Sequence, residues 1–363
     1  MKVISADSHI QEPTELYERW IPEPLRKYGP RIEVREDGSR YRVMHGRRPR
    51  RLDVAEARET EDDQNREFRA DPTGGRDVAR RLEDQARDGI MAEVLYPNSG
   101  LALFNSPIPE YQLAVAHSYN DWLSDLFIEH RNRFVPVGMV PIIDIDRGVA
   151  EAERLAKLGY RAIKVPISFP DRPYNHPDYD RLWAVCAEAG LIVSFHAFTN
   201  TEDVYPHDWG EKEGTGGALN MMAMRMVDGM NPVSLLVSSG ALMRFPDLKV
   251  VIVECGAGWL AWLLYVLDEQ YEKKHMWIQP KLDLKPSEYF LRQGYVTFSD
   301  DPIALRNLPF TGSGVLLWGS DYPHDEGTYP HSQAVIERTF ADLAPQEKHD
   351  IVYANAAQLY GFN

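Results

Sequence analysis

Lys249-Val-Val-Ile-Val-Glu254 is an almost unbroken β-branched run that ends in a carboxylate and leads into Cys255-Gly256. A strand this apolar has no polar face to offer water, so it belongs in a sheet covered on both sides. Seven more such runs lie along the chain: Val3 to Asp7, Ala92 to Tyr96, Phe134 to Pro141, Ala162 to Pro166, Leu191 to His196, Tyr295 to Ser299 and Val315 to Asp321. Between most of them the spacing turns helical, as in Gly148 to Leu158 and Tyr179 to Ala189. Eight strand–helix units predict an α/β fold, a parallel sheet closed into a (β/α)8 TIM barrel. An open doubly wound sheet is the runner-up, but no glycine fingerprint follows the first run to support it.

Two stretches break the rhythm. Residues 13–75 are charged and irregular, and read as an insertion containing a small hairpin, Arg31 to Arg35 against Arg40 to Val43, turned at Asp37-Gly38. Arg47 to Arg51 is a basic cluster that reads as a solvated face more readily than an anion site. The second is the long loop after strand five, Phe198 to Asn231, which holds Met221, Met222, Met224, Met226 and Met230. It reads as a lid or pocket wall, although ordinary helix packing explains the methionines as well. With no internal repeat or low-complexity linker, residues 1–363 are expected to form one elaborated barrel domain.

Charge excludes some functions. Forty basic residues against 55 acidic ones leave a formal charge of −15, which repels phosphate backbones and anionic lipid, so no nucleic acid and no membrane surface is expected as partner. No apolar run approaches the roughly 20 residues of a membrane-spanning helix. The opening Met1-Lys-Val-Ile-Ser-Ala-Asp7 lacks a signal-peptide pattern, and the two cysteines, Cys186 and Cys255, read as buried thiols; the expected location is the cytoplasm. The expected partner is a small-molecule substrate, with a homo-oligomer as a base-rate expectation only.

The candidate ligands all fall at C-terminal strand ends, the edge where barrel enzymes place their chemistry. Asp7 and His9 stand two apart on strand one and so share a side. His196 ends strand five, Glu254 ends strand six and Asp321 ends strand eight. Each has a bland reading alone: a solvated strand end, a satisfied core histidine. Together, Asp7, His9, His196, Glu254 and Asp321 predict a centre for a divalent metal (Zn, Mn or Fe), as one ion or two.

Read with its flanking segments, the chain resembles the amidohydrolase-related family of the metal-dependent amidohydrolase superfamily. The resemblance rests on Ala6-Asp-Ser-His-Ile-Gln-Glu-Pro13, Glu93-Val-Leu-Tyr-Pro-Asn98, Tyr119-Asn-Asp-Trp-Leu123, Arg244-Phe-Pro-Asp-Leu-Lys249, Gly256-Ala-Gly-Trp259, Trp318-Gly-Ser-Asp-Tyr-Pro-His324 and Asn355-Ala-Ala-Gln-Leu-Tyr-Gly361. It implies a TIM barrel with a metal at its C-terminal face, acting in hydrolysis or decarboxylation of small organic acids, and a metal shell mapping to Asp7, His9, His196 and Asp321. Two departures stand out. Many members carry His-x-His or Glu-x-His on strand one, where this chain has Asp7-Ser8-His9, and a sixth-strand histidine of the family is replaced here by Glu254.

Two chemistries follow. In the first, a metal-bound water or a clamped carboxylate leads to hydrolysis or decarboxylation of a small, aromatic or bulky apolar acid derivative. Asp321 is then the proton acceptor, and His324 either donates a proton or merely hydrogen-bonds behind the site. Asn98 orients substrate or serves as a turn residue after Pro97, and His207 reaches the site only if its loop folds inward. The second chemistry follows from three carboxylates, which suit two ions better than one: a dinuclear non-haem iron monooxygenase acting on an acyl group, CoA-linked in the branch it resembles. Lys164 on strand four is either a carbamylated bridge between two ions or an ordinary ion-paired lysine. A non-catalytic ligand-binding barrel is the third reading.

Overall fold

The computed structural model describes residues 2–47, 49–51, 72–200 and 216–362. Eight parallel strands follow one another around the sheet in chain order: β1 (Ile4–Ile10), β2 (Ala92–Pro97), β3 (Phe134–Met139), β4 (Ala162–Ser168), β5 (Ile192–Asn200), β6 (Val250–Val253), β7 (Gly294–Phe298) and β8 (Leu316–Trp318). The seam between β8 and β1 is closed just past the end of β8. Ser8 bridges Tyr322, the His9 amide donates to the Tyr322 carbonyl at 2.6 Å, and the Asp321 amide donates to the Asp7 carbonyl at 2.9 Å. The fold is the (β/α)8 barrel.

Both faces of the strands are buried, which explains their unbroken apolar sequences. Ile4, Ala6, Val94, Val135, Val137, Ala162, Ile192, Val251, Val253 and Leu317 fill the barrel interior. Their alternate neighbours, among them Ile163, Val165, Val193, Phe195, Val250, Ile252 and Trp318, pack outward against helices such as Ile145–Lys157, Asp180–Ala189 and Leu260–Lys274. The described strands differ from the sequence boundaries where it matters. β5 runs beyond His196 to Asn200, whereas β6 stops at Val253 and β8 at Trp318, so Glu254 and Asp321 lie just past their strands.

The insertion enters directly after β1, on the face where the strands end. Arg31–Val34 and Arg40–Val43 pair antiparallel, Gly38 takes a left-handed φ of 81° in the turn, and Arg50–Arg51 adds a third short strand. The insertion then folds back over the barrel mouth. A Cβ on Gly46 would lie 1.9 Å from the Asn105 carbonyl oxygen, so only glycine permits this approach. Arg47 is not simply solvated: it donates to Asn105 Oδ1 at 2.8 Å and to the Phe198 carbonyl at 2.9 Å, tying the insertion to the segment after β2 and to the end of β5.

No helix among the described residues is long and apolar enough to cross a membrane. Cys186 and Cys255 are buried and free.

The seam carries a sharp steric test. A Cβ on Gly319 would stand 2.5 Å from Asp7 Cβ, a backbone-proximal atom that cannot swing aside. Gly319→Ala is therefore expected to lower the urea-unfolding free energy by about 1–3 kcal/mol. A variant as stable as the parent would show that β1 and β8 do not meet as described.

Candidate metal centre

Asp7 and His9 face inward only because β1 contains a bulge. Ile4 and Ala6 point into the barrel, so strict alternation would carry Asp7 and His9 to the outside. The pairing with β2 slips, however: Ser5 lies opposite Glu93 and Ser8 opposite Leu95, three residues against two. The extra residue reverses the alternation and turns both side chains into the mouth. The bulge is pinned from behind by buried polar groups. Arg81 donates to Glu93 Oε2 at 2.6 Å and to the His9 carbonyl at 2.7 Å, while Ser8 Oγ donates to Glu93 Oε1 at 3.1 Å.

Glu254 is redirected by other means. Val251 and Val253 point inward, so an extended Glu254 would point out. Instead it adopts φ 58°, and Asp321 does the same at 58°. Left-handed backbone at a non-glycine residue costs on the order of 1 kcal/mol or more and clusters at functional sites. Hydrogen bonds hold both residues there: the Glu254 amide donates to Thr297 Oγ1 at 3.0 Å, and the Asp321 amide to Asp7.

The resulting cluster is compact. His196 Nε2 lies 3.6 Å from Asp7 Oδ1 and 3.4 Å from Glu254 Oε2. His9 Nε2 lies 3.8 Å from both of those oxygens and 3.3 Å from Asp321 Oδ1. Metal bonds of about 2.0–2.2 Å put ligand atoms roughly 3.0–3.6 Å apart, so this spacing is close to that of a coordination shell. The chemistry of the donors agrees. His9 Nδ1 faces the Pro97 carbonyl at 3.1 Å and His196 Nδ1 faces the Ala197 carbonyl at 3.0 Å. A carbonyl only accepts, so both Nδ1 atoms carry the proton and both Nε2 lone pairs point into the cluster. Asp7 Oδ1, His9 Nε2, His196 Nε2 and Glu254 Oε2 are buried there without a hydrogen-bond partner. Four acceptor atoms aimed at one another repel; a cation at their centre satisfies all four, and the residues fit a divalent metal ion.

Protonation without such an ion follows the same electrostatics. Burial, reinforced by the Asp321 charge, lifts Asp7 to about 7, and burial likewise raises Glu254 well above the usual carboxylate range. Burial depresses His9, and His196 falls to about 3. Asp321 is the exception. Burial opposes its charge, but the hydrogen bond from His324 and the neighbouring imidazoles outweigh it and hold the carboxyl low. His324 Nδ1 sits 2.9 Å from Asp321 Oδ1, and although burial disfavours its cation, that hydrogen bond raises it.

The structure brings Asp7, His9, His196, Glu254, Asp321 and His324 to one mouth. Asn98 stands at the edge, its Oδ1 3.5 Å from His324 Nε2. His207 lies outside the described residues. Among the described residues Lys164 has neither the ion pair that the sequence favoured nor a hydrogen-bond partner for Nζ; it is wholly buried and faces the Phe104 ring at 4.4 Å. Two contributors escaped sequence reading. Thr297 donates to Asp7 Oδ2 at 3.4 Å from β7, and Glu326 offers a carboxylate within 4.8 Å of the ligand atoms of Glu254, Asp321 and His324. Glu326, five residues beyond Asp321 in an acidic turn, was the one with a readable signal. A cavity of about 380 Å³, lined by Ser168, Asp228, Met230, Asn231 and Leu263, contains none of these residues. Of the loop methionines, Met222 and Met224 are exposed and Met230 lines that cavity.

A barrel with buried carboxylates and imidazoles converging at its C-terminal mouth defines a metal-dependent hydrolase or carboxy-lyase. The chain belongs to the amidohydrolase family, whose profile matches residues 71–362. It is 19% identical over 286 residues, 78% of this chain and 76% of the other, to 2-amino-3-carboxymuconate-6-semialdehyde decarboxylase of Dictyostelium discoideum. Among solved structures, an amidohydrolase from Mycobacterium avium subsp. paratuberculosis superposes with TM-score 0.74 at 18% identity, covering 99% of each chain. The 5-carboxyvanillate decarboxylase of Sphingomonas paucimobilis gives 0.71 at 20% identity, covering 100% of this chain and 99% of that one. A dihydroxybenzoic acid decarboxylase from Polaromonas sp. JS666, with bound manganese and 2-nitroresorcinol, gives 0.65 at 17% identity, covering 100% and 97%. At these identities the structural likeness carries the fold.

The electrostatics set a pH window. Below the ordinary histidine value of 6.5, the raised acids and the depressed imidazoles pull metal-free stability in opposite directions. Above it the unfolded histidines are neutral too; the raised groups Asp7, Glu254 and His324 then bind more protons folded than unfolded and lower stability as pH rises, while Lys164, pushed well below its usual range by burial, acts in the opposite sense. Stabilisation of chelator-treated protein by Mn²⁺, read from the urea midpoint, is expected to grow between about pH 6.5 and about pH 8, because the ion replaces the protons on the cluster. A pH-independent Mn²⁺ effect would contradict the cluster as described.

Proposed function

We propose that the protein is a metal-dependent enzyme acting on a small organic acid derivative, aromatic or bulky and apolar, with decarboxylation a better fit than hydrolysis. One observation carries the reading: the four partnerless ligand atoms of Asp7, His9, His196 and Glu254 converge beside a hydrogen-bonded Asp321–His324 pair. The bound ion supplies Lewis-acid polarisation of a substrate oxygen, or a water of lowered pKa. Asp7, His9, His196, Glu254 and Asp321 would hold the ion, and Asp321 also accepts the hydrogen bond of His324. The hydrogen bond to Asp321 favours the imidazolium form of His324 against its burial, and His324 is assigned as the proton donor at the rim of the site. In decarboxylation the carbon–carbon bond to the carboxylate breaks, its electron pair stays on the substrate carbon, and His324 Nε2 delivers the proton as carbon dioxide leaves. Asn98 holds that nitrogen's orientation. The decarboxylases among the relatives, two of them named for aromatic acids, support the substrate class.

A second reading is favoured by the placement of Glu254 and Glu326. Ligand atoms of Glu254, Asp321, His324 and Glu326 all lie within 4.8 Å of one another, next to the group formed by Asp7, His9 and His196. Two adjoining groups rich in carboxylate oxygens suit a dinuclear centre, and with iron they suit dioxygen activation on an acyl substrate.

Metal analysis and product assay separate the two. One manganese or zinc per chain, with carbon dioxide released from an aromatic carboxylic acid, supports the first; two irons per chain with oxygen uptake under reducing conditions supports the second. Asp321→Asn is expected to lower turnover by about a hundredfold or more while the protein stays folded. A variant that keeps most of its activity would remove Asp321 and His324 from the assigned proton path.

A further inference from the structure

Lys164 is a buried amine for which the proposed reaction has so far no use. It pairs with Ser194 in the register between β4 and β5, two residues below Pro166, which lies level with His196. Ala162 belongs to the barrel interior whereas Ile163 and Val165 pack outward, so Lys164 projects inward. Two residues of strand span about 6.6 Å, close to the length of a lysine side chain, so an upward-directed amine reaches the level of the metal-binding imidazole. It is directed upward: Nζ faces the ring of Phe104, which belongs to the 99–105 segment beyond the C-terminal end of β2.

The side chain is fully buried, no ion pair to it is formed among the described residues, and Nζ is without a hydrogen-bond partner. Burial pushes the Lys164 ammonium well below the usual lysine range; the Glu12 charge works against that shift, its carboxylate accepting the Gly100 amide at 2.7 Å, and the Arg47 charge adds to it. A buried amine set against an aromatic ring forgoes the partners it has in water, and an apolar residue would fill this place more stably. The arrangement makes sense as a binding site that an anionic oxygen completes.

We propose that Lys164 Nζ is a substrate-anchoring group that receives a carboxylate oxygen of the substrate inside the barrel mouth, with Phe104 covering the anion. The assignment rests on the functional reading above, to which it adds the requirement that the substrate be anionic on the β4 side of the metal. Lys164 thus selects acids over their neutral counterparts and sets the face on which the acid lies, with the proton donor His324 positioned from β8.

Benzoate and benzamide have nearly the same shape and differ in charge, which makes them suitable probes for the Mn²⁺-loaded protein by calorimetry. Lys164→Met is expected to retain the parent's manganese content, to melt no lower than the parent, and to bind benzoate about ten- to a hundredfold more weakly with benzamide affinity unchanged. A crystal structure of the unaltered protein with benzoate, expected to place a carboxylate oxygen within hydrogen-bond distance of Nζ, serves as a test that needs no variant. Unchanged benzoate affinity in Lys164→Met, or benzoate bound away from Nζ, overturns the proposal. So does a carbamate carbon on Lys164 seen by NMR in ¹³C-bicarbonate together with manganese loss in Lys164→Met, which would make the residue a metal ligand. Charge-selective binding through Lys164 in a protein that takes up no metal would leave this inference standing while removing the functional reading.

Discussion

Mutual repulsion among buried acceptors is the constraint around which this barrel mouth is organised. Three carboxylates each hold an oxygen within 4 Å of an imidazole Nε2 of His9 or His196, away from water that would otherwise screen them. Left without a cation, the cluster resolves the conflict by keeping protons on Asp7 and Glu254. A divalent ion resolves it by coordination. The backbone around the site is shaped accordingly: a bulge in β1 and left-handed conformations at Glu254 and Asp321 are local costs that the rest of the barrel sustains.

What sustains them lies behind the cluster. Arg81, Glu93, Gln85 and Ser8 form a buried hydrogen-bonded set beneath His9, and Tyr322, stacked near Arg81, reaches Asp84 at 2.7 Å. Apart from Arg81 Nη2 these groups bond to one another, so the acceptors in front can remain unsatisfied without the strand relaxing. Polar groups at the closing seam thus have a division of labour. Those facing the helices hold the backbone, and those facing the interior are free to bind.

The mouth is also divided by charge. Carboxylates and the Asp321–His324 pair lie toward β1, β6 and β8, whereas the unpartnered Lys164 lies on β4 beneath Phe104. The Lys164 amine thus stands on the opposite side of the mouth from His324. The insertion, joined through Arg47 to Asn105 and Phe198, helps to enclose that space.

Barrel class and strand order were legible in the chain because strands buried on both faces must be apolar throughout, and eight such runs alternating with helical spacing leave few architectures. The positions of Asp7, His9, His196, Glu254 and Asp321 at strand ends were legible for the same reason: a charge that terminates an apolar run stands out. Their convergence was not. Alternation alone sends Glu254 outward, and sends Asp7 and His9 outward with it once Ile4 and Ala6 are placed inside. Only a one-residue slip against β2 and a left-handed turn after β6 reverse them; the first is held by the hydrogen bonds Arg81 donates and Glu93 accepts, the second by the Glu254 amide donating to Thr297, all distant in sequence. The state of Lys164 was likewise decided in three dimensions, since whether a lysine finds a carboxylate depends on which segment folds over it, and here that segment presents a phenyl ring.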